Sequence, residues 1–94
     1  MGKVDCFSMA GVDCWFYSND HRPPHFNAKK KGQWCFKVFF LEHRDRMLKR
    51  EKSLRGRISR KDRNALCAMA ELYREDLLKE WEEKVNEPDS QNKT

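Results

Sequence analysis

The sequence has no run of about 18 apolar residues, so it contains no membrane-spanning helix. Its start, Met1-Gly2-Lys3-Val4-Asp5, lacks the apolar stretch of a secretory signal, which predicts a cytoplasmic protein with no membrane partner. Gly2 would suit an N-myristoyl signal, but Cys6 stands where that signal needs Ser or Thr. None of the cysteines at 6, 14, 35 and 67 forms a Cys-x-x-Cys pair, so the spacing of a structural zinc site is missing. In a reducing compartment they read as free thiols packed as small apolar residues. Proline and histidine are also scarce, at three each, which makes their clustering informative.

What is present bounds the rest. Ninety-four residues allow one domain, and 38% apolar against 37% charged residues leaves room for only a small core. Eleven aromatics partly offset this, because each removes a large area from water when buried. A core this small suggests a homodimer or a bound partner.

Two histidines, two prolines and an acid fall within Asn19-Asp20-His21-Arg22-Pro23-Pro24-His25-Phe26-Asn27-Ala28. Each proline fixes its own φ and pushes the preceding residue out of the helical region, so the segment reads as a stiff elbow. Asn19 and Asp20 favour turns through side-chain bonds to nearby backbone. Such a loop is either a functional site or a joint that spaces two strands.

Around the elbow the pattern is β. Residues 5–9 and 12–17 read as strands about a tight turn at Ala10-Gly11. Phe26 and Ala28 then alternate with His25, Asn27 and Lys29 in a third strand, and Lys30-Lys31-Gly32-Gln33 supplies a hairpin turn. The fourth strand places Trp34, Phe36, Val38 and Phe40 on one face and Cys35, Lys37, Phe39 and Leu41 on the other. The first face is expected to meet the core. The second is apolar enough to suggest cover by another chain.

Residues 42–63 change character, with ten Lys and Arg against four acids. They read as a charged turn at 42–46, a polar edge strand around 47–51 and a connection ending at Gly56. Ser59 is a good N-cap, with Asp62 where a capping-box acid belongs. Apolar residues then recur at 66, 69, 73, 77, 81 and 85, which is helical spacing. A single helix to about residue 86 and a pair broken near Tyr73-Arg74 fit equally. Residues 71–94 hold eight acids against four bases, so a basic middle faces an acidic end. The chain therefore reads as one α+β domain over 1–86, an antiparallel sheet of four to five strands followed by a helix or helix pair on one face, with a disordered polar tail at 87–94.

The elbow and the helix together resemble the bacterial family called domain of unknown function 4160. That family carries Asn-Asp-His-x-Pro-Pro-His-Phe-His-Ala between strands, and residues 19–28 differ from it only by Asn27 in place of His. The family's helix ends Ala-Glu-Leu-His-Arg-Glu-Glu-Leu-Leu-x-x-Trp, matched by Ala70-Glu71-Leu72-Tyr73-Arg74-Glu75-Asp76-Leu77-Leu78-Lys79-Glu80-Trp81. Tyr73 for His and Ser59 for Pro are departures, as is a more basic 42–55 segment. The resemblance implies a small α+β domain of unassigned biochemistry. Genes of this kind often lie beside another small domain, in layouts like toxin–antitoxin or mobile-element pairs, which implies a small protein partner encoded nearby. It carries over no catalytic residue.

Three chemistries are open to these residues. His21, His25, Asp20 and His43 are candidate metal ligands, but Asn27 removes the histidine that would share a strand face with His25, and neither a metal nor a cofactor is expected. His25 or His21 is the candidate acid–base of a metal-independent ribonuclease, with Arg22 or Lys29 on phosphate. The third reading is a non-enzymatic binding module. Arg22, Lys29, Lys30, Lys31, Arg44, Arg46, Lys49, Arg50, Lys52, Arg55 and Arg57 would form a basic face for nucleic acid or an acidic protein. In that third reading Asn19, Asp20, His21, Pro23, Pro24, His25 and Asn27 are structural. The acidic helix end, with Glu80, Glu82 and Glu83, is the alternative counterpart of the basic face.

Overall fold

A computed structural model describes residues 2–50 and 57–85. Five strands form one antiparallel meander in sequence order: β1 (Gly2–Lys3), β2 (Val12–Phe16), β3 (Phe26–Lys30), β4 (Trp34–Val38) and β5 (Leu48–Arg50). A 3-10 turn at Arg44–Arg46 precedes β5, and helices α1 (Arg60–Leu72) and α2 (Arg74–Lys84) close the domain. The fold is α+β, with the helices packed on one face of the sheet.

Register follows from the tight turns. Gly32 takes a φ of +74°, a conformation that costs glycine nothing, and Gln33 N donates to Lys30 O at 2.8 Å to close the β3–β4 hairpin. This sets Phe26 opposite Val38 and Ala28 opposite Phe36. Cys14, Phe16, Phe26, Ala28, Trp34, Phe36 and Val38 then share one face, all buried. Leu66, Cys67, Ala70, Leu77, Trp81 and Val85 of the helical segment join them in a single core. Met69 and Tyr73 of the expected helical stripe are partly buried against it. Phe40, past the end of β4, and Met47, from the charged segment, are also fully buried.

Three expectations need correction. Residues 5–9 are not a strand: the chain leaves the sheet after Lys3, and Met9 makes only an isolated bridge to Val12. The amides of Asp5 and Cys6 each donate to the Glu80 carboxylate at 2.8 Å. Val4 and Phe7, three residues apart, both enter the core, a spacing that strand alternation does not allow. β4 stops at Val38, because Glu42 N turns back to Phe39 O at 2.9 Å. Ser59 caps α1 as expected, accepting from Asp62 N at 3.1 Å, but the Asp62 carboxylate bonds to Lys30 and Trp34 across the domain.

The helical stretch is a pair, broken at Tyr73 with φ −102° and ψ 20°. Tyr73 stacks on Phe7 at 5.7 Å, and Arg74 Nε donates to Phe40 O at 2.7 Å. These tertiary contacts sit at the break. Backbone bonds through it persist, Tyr73 N to Met69 O and Leu77 N to Tyr73 O. The Arg22–Pro23 peptide bond is cis. The connection at 51–56 and the tail from 86 onward lie outside the described residues.

Candidate functional site

The elbow folds onto the end of the sheet and is held from within. Asp20 accepts from Tyr17 N at 3.0 Å, and its own amide donates to Tyr17 O at 3.1 Å. Asn27 is buried, and its Nδ2 donates to Trp15 O at 3.3 Å and to Asp20 Oδ2 at 3.4 Å. His25 is buried, with its ring 4.9 Å from Phe39 and 5.5 Å from Trp81. Its Nδ1 lies 2.9 Å from Pro23 O. A carbonyl only accepts, so this nitrogen carries a proton. Nε2 faces Asp20 Oδ1 at 3.6 Å, beyond hydrogen-bond reach, and is otherwise without a polar partner. A general base must reach a substrate proton directly or through one water, and His25 presents neither nitrogen to solvent. His25 also covers Phe39, supplying part of the cover that the exposed face of β4 was expected to need from another chain. Leu41, next along, remains exposed.

His21 is exposed, and His43 caps its own 3-10 turn, accepting from Asp45 N at 3.4 Å. Among the described residues no three His, Cys, Asp or Glu side chains gather where they could share a metal ion. Three of the thiols are poor nucleophiles. Burial, then hydrogen bonding to Glu80, pushes Cys6 up to about 12, and burial does the same for Cys14. Burial also raises Cys67.

The sheet and helices divide the basic residues. Lys30 lies on the helix side, where its Nζ meets Asp62 Oδ2 at 2.9 Å. That bond holds the Asp62 acid below the usual carboxylate range. Arg44 pairs with Glu71 at 2.6 Å and lowers that acid in turn. These two cations were expected on the binding face and are instead ion-paired to α1. Arg50 stands opposite Phe36, on the helix-side register. Arg22, Lys31, Arg46 and Arg57 are exposed, while Lys52 and Arg55 lie outside the described residues.

Glu80 was expected in an acidic end set against the basic segment. It is buried instead, and holds the N-terminal chain through Asp5 N, Cys6 N and the Lys84 ammonium at 2.7 Å. Burial works against its charged form, but the bonds from Lys84, Asp5 and Cys6 outweigh it and depress the acid.

The face away from the helices carries a different set. Gly2 faces the helix side, where an added Cβ would meet the Lys84 side chain, so Lys3 faces outward. From Lys3 one cross-strand row runs through Trp15, Asn27 and Lys37 to Lys49, one residue from each strand. A second row holds Asp13, Lys29 and Cys35. Lys3, Asp13, Trp15, Tyr17 and Lys29 border a shared groove. Trp15 is half-buried and meets Tyr17 edge to face at 5.8 Å; its Nε1 is buried without a polar partner. Of this set only Lys29 and Lys49 were expected from sequence. Lys3, Trp15 and Lys37 were missed, although strand alternation already placed Trp15 and Lys37 on outward faces. The pairing that aligns them is not a local signal.

Neither a curated protein nor a solved structure matches this chain. The family described as domain of unknown function (DUF4160) matches it over residues 11–82. The match runs from the turn before β2 into the last turns of α2 and takes in the elbow, and on that extent the chain belongs to the DUF4160 family.

Proposed function

We propose that this domain is a non-enzymatic binding module that holds nucleic acid by its phosphates across the face of the sheet opposite the helices, as one half of a small regulatory pair. The observation that carries the reading is the row Lys3, Trp15, Asn27, Lys37 and Lys49, with Lys29 beside it, on the face opposite the helices. A net charge of +5 favours a polyanion as counterpart. Lys30 and Arg44 are ion-paired to α1 and are not part of this row. The competing ribonuclease reading needs His25 as acid–base, and its burial and its bond to Pro23 argue against that role.

A salt titration tests the proposal. If Lys3, Lys29, Lys37 and Lys49 each neutralise one phosphate, log affinity falls against log salt with a slope of about −2.8 on single strands or −3.6 on duplex. Binding then weakens roughly 50- to 150-fold between 50 and 200 mM salt. Lys49→Gln flattens the slope by about 0.7–0.9. No binding to either form at low salt, or binding indifferent to salt, overturns the reading and leaves a protein partner as the better counterpart.

A further inference from the structure

We infer that the nucleic acid taken by this face is single-stranded, with a base stacked on Trp15; this rests on the phosphate-binding reading and specifies its ligand. The protein has three tryptophans. Trp34 and Trp81 are 1% exposed and belong to the core. Trp15 is different: it stands on the outward row between Lys3 on one side and, past Asn27, Lys37 on the other. Tyr17 lies two residues on, on the same face of the chain by alternation, and is 43% exposed. The two rings meet at 88°, edge to face, so the contact takes up one face of one ring and leaves the others to their own surroundings.

Aromatic rings set among cations on a sheet surface are what an unpaired strand needs, since bases stack on the rings while ammonium groups follow the phosphates. Five strands about 4.8 Å apart make the row roughly 19 Å from end to end, with buried Asn27 at its middle, so its cations on the two sides are spaced for a run of nucleotides rather than one isolated phosphate. A duplex gains less here. Its base faces are already stacked inside, and the open sheet offers no helix or two-stranded ribbon to enter a groove. Among the described residues of these two rows the acid is Asp13; it is opposite Lys29, so Lys29 contributes less net charge than the other lysines.

Trp15 also supplies the readout, because the other two tryptophans are shielded from a ligand. The test titrates the full-length protein with oligouridylate, oligothymidylate and a duplex of the same length, about ten nucleotides, within the span of a single-strand site. Tryptophan emission and affinity are followed together. The expected result is quenching by the single strands and little by the duplex. Trp15→Leu removes the quenching and weakens single-strand binding about 5- to 150-fold, the range for one stacked base. Tyr17→Ala, at an exposed position, leaves the fold intact and weakens single-strand binding while sparing the duplex. Lys49→Gln weakens binding but keeps the quenching at saturation. Duplex bound as tightly as single strand, or saturation without change in emission, overturns the stacking inference and leaves the phosphate reading standing. Failure of all three probes to bind overturns both.

Discussion

Removing the Glu80 carboxylate should release the N-terminal segment and destabilise the whole domain. The carboxylate accepts from Asp5 N and Cys6 N, both at 2.8 Å, in a residue only 8% exposed. A hydrogen bond to a charged group contributes about 1.5–3 kcal/mol, so losing two places Glu80→Ala at about 3–6 kcal/mol. Lys84 keeps Lys3 O at 2.6 Å and Asp5 Oδ2 at 2.7 Å, so its charge is not orphaned and adds little to the cost. A domain of this size is stable by only about 5–14 kcal/mol, so the loss is a large share of the total. With a urea slope of about 2 kcal/mol/M the unfolding midpoint falls by roughly 2 M. Emission from buried Trp34 and Trp81 reports the transition, and hydrogen exchange at the Asp5 and Cys6 amides should accelerate selectively. The pH dependence has a definite sign. Glu80 is depressed in the folded state, so its contribution is present above the ordinary glutamate range and is lost as pH falls through the lower folded value. Wild type and Glu80→Ala should therefore converge in acid. A variant that unfolds at nearly the wild-type midpoint at neutral pH would refute the reasoning. So would a gap in stability that persists undiminished in strong acid.

The other expected outcomes concern the core, the helix start and the elbow. Leu66→Ala empties a fully buried site and should cost about 2–5 kcal/mol in urea unfolding; a smaller loss would mean that α1 packs loosely on the sheet. Ser59→Ala removes the acceptor for Asp62 N and should cost about 0.5–2 kcal/mol, read from the thermal midpoint, while Ser59→Asp should restore most of it. Purified protein should leave RNA intact with or without a chelator, and His25→Ala should lower the urea midpoint. Cleavage by the wild type that His25→Ala abolishes would make the elbow catalytic.

Much of the fold was legible locally. The alternation of Trp34, Phe36 and Val38 marks the core face of β4, and the recurrence of Leu66, Met69, Tyr73 and Leu77 marks the stripe of the helices. Ser59 announces the start of α1, because a cap is a contact three residues long. The resemblance to the family lay in the elbow and the helix end, both continuous stretches. Less of the candidate site could be read. Lys30 sits in a run of three lysines, and nothing in that run says that alternation turns the middle one toward Asp62, thirty-two residues on. Arg44 looks like part of a basic patch until α1 brings Glu71 beside it.

Features that depend on neighbours within one turn or one strand are written in the chain itself: which residues alternate, where helices start and where the chain cannot be helical. Strand alignment, and so which charges share a surface, comes from packing between distant segments. Lys3, Trp15, Lys37 and Lys49 are scattered over residues 3–49 and become one row through register, a property of pairs of strands. Packing also decided that residues 5–9 leave the sheet, because their amides go to Glu80, 75 positions away from Asp5, and a buried carboxylate with two donors outweighs a strand pattern that was only moderately strong. The break at Tyr73 has the same origin: helical spacing runs unbroken through 73, and it is Phe7 and the Phe40 carbonyl, from distant segments, that meet the helices there.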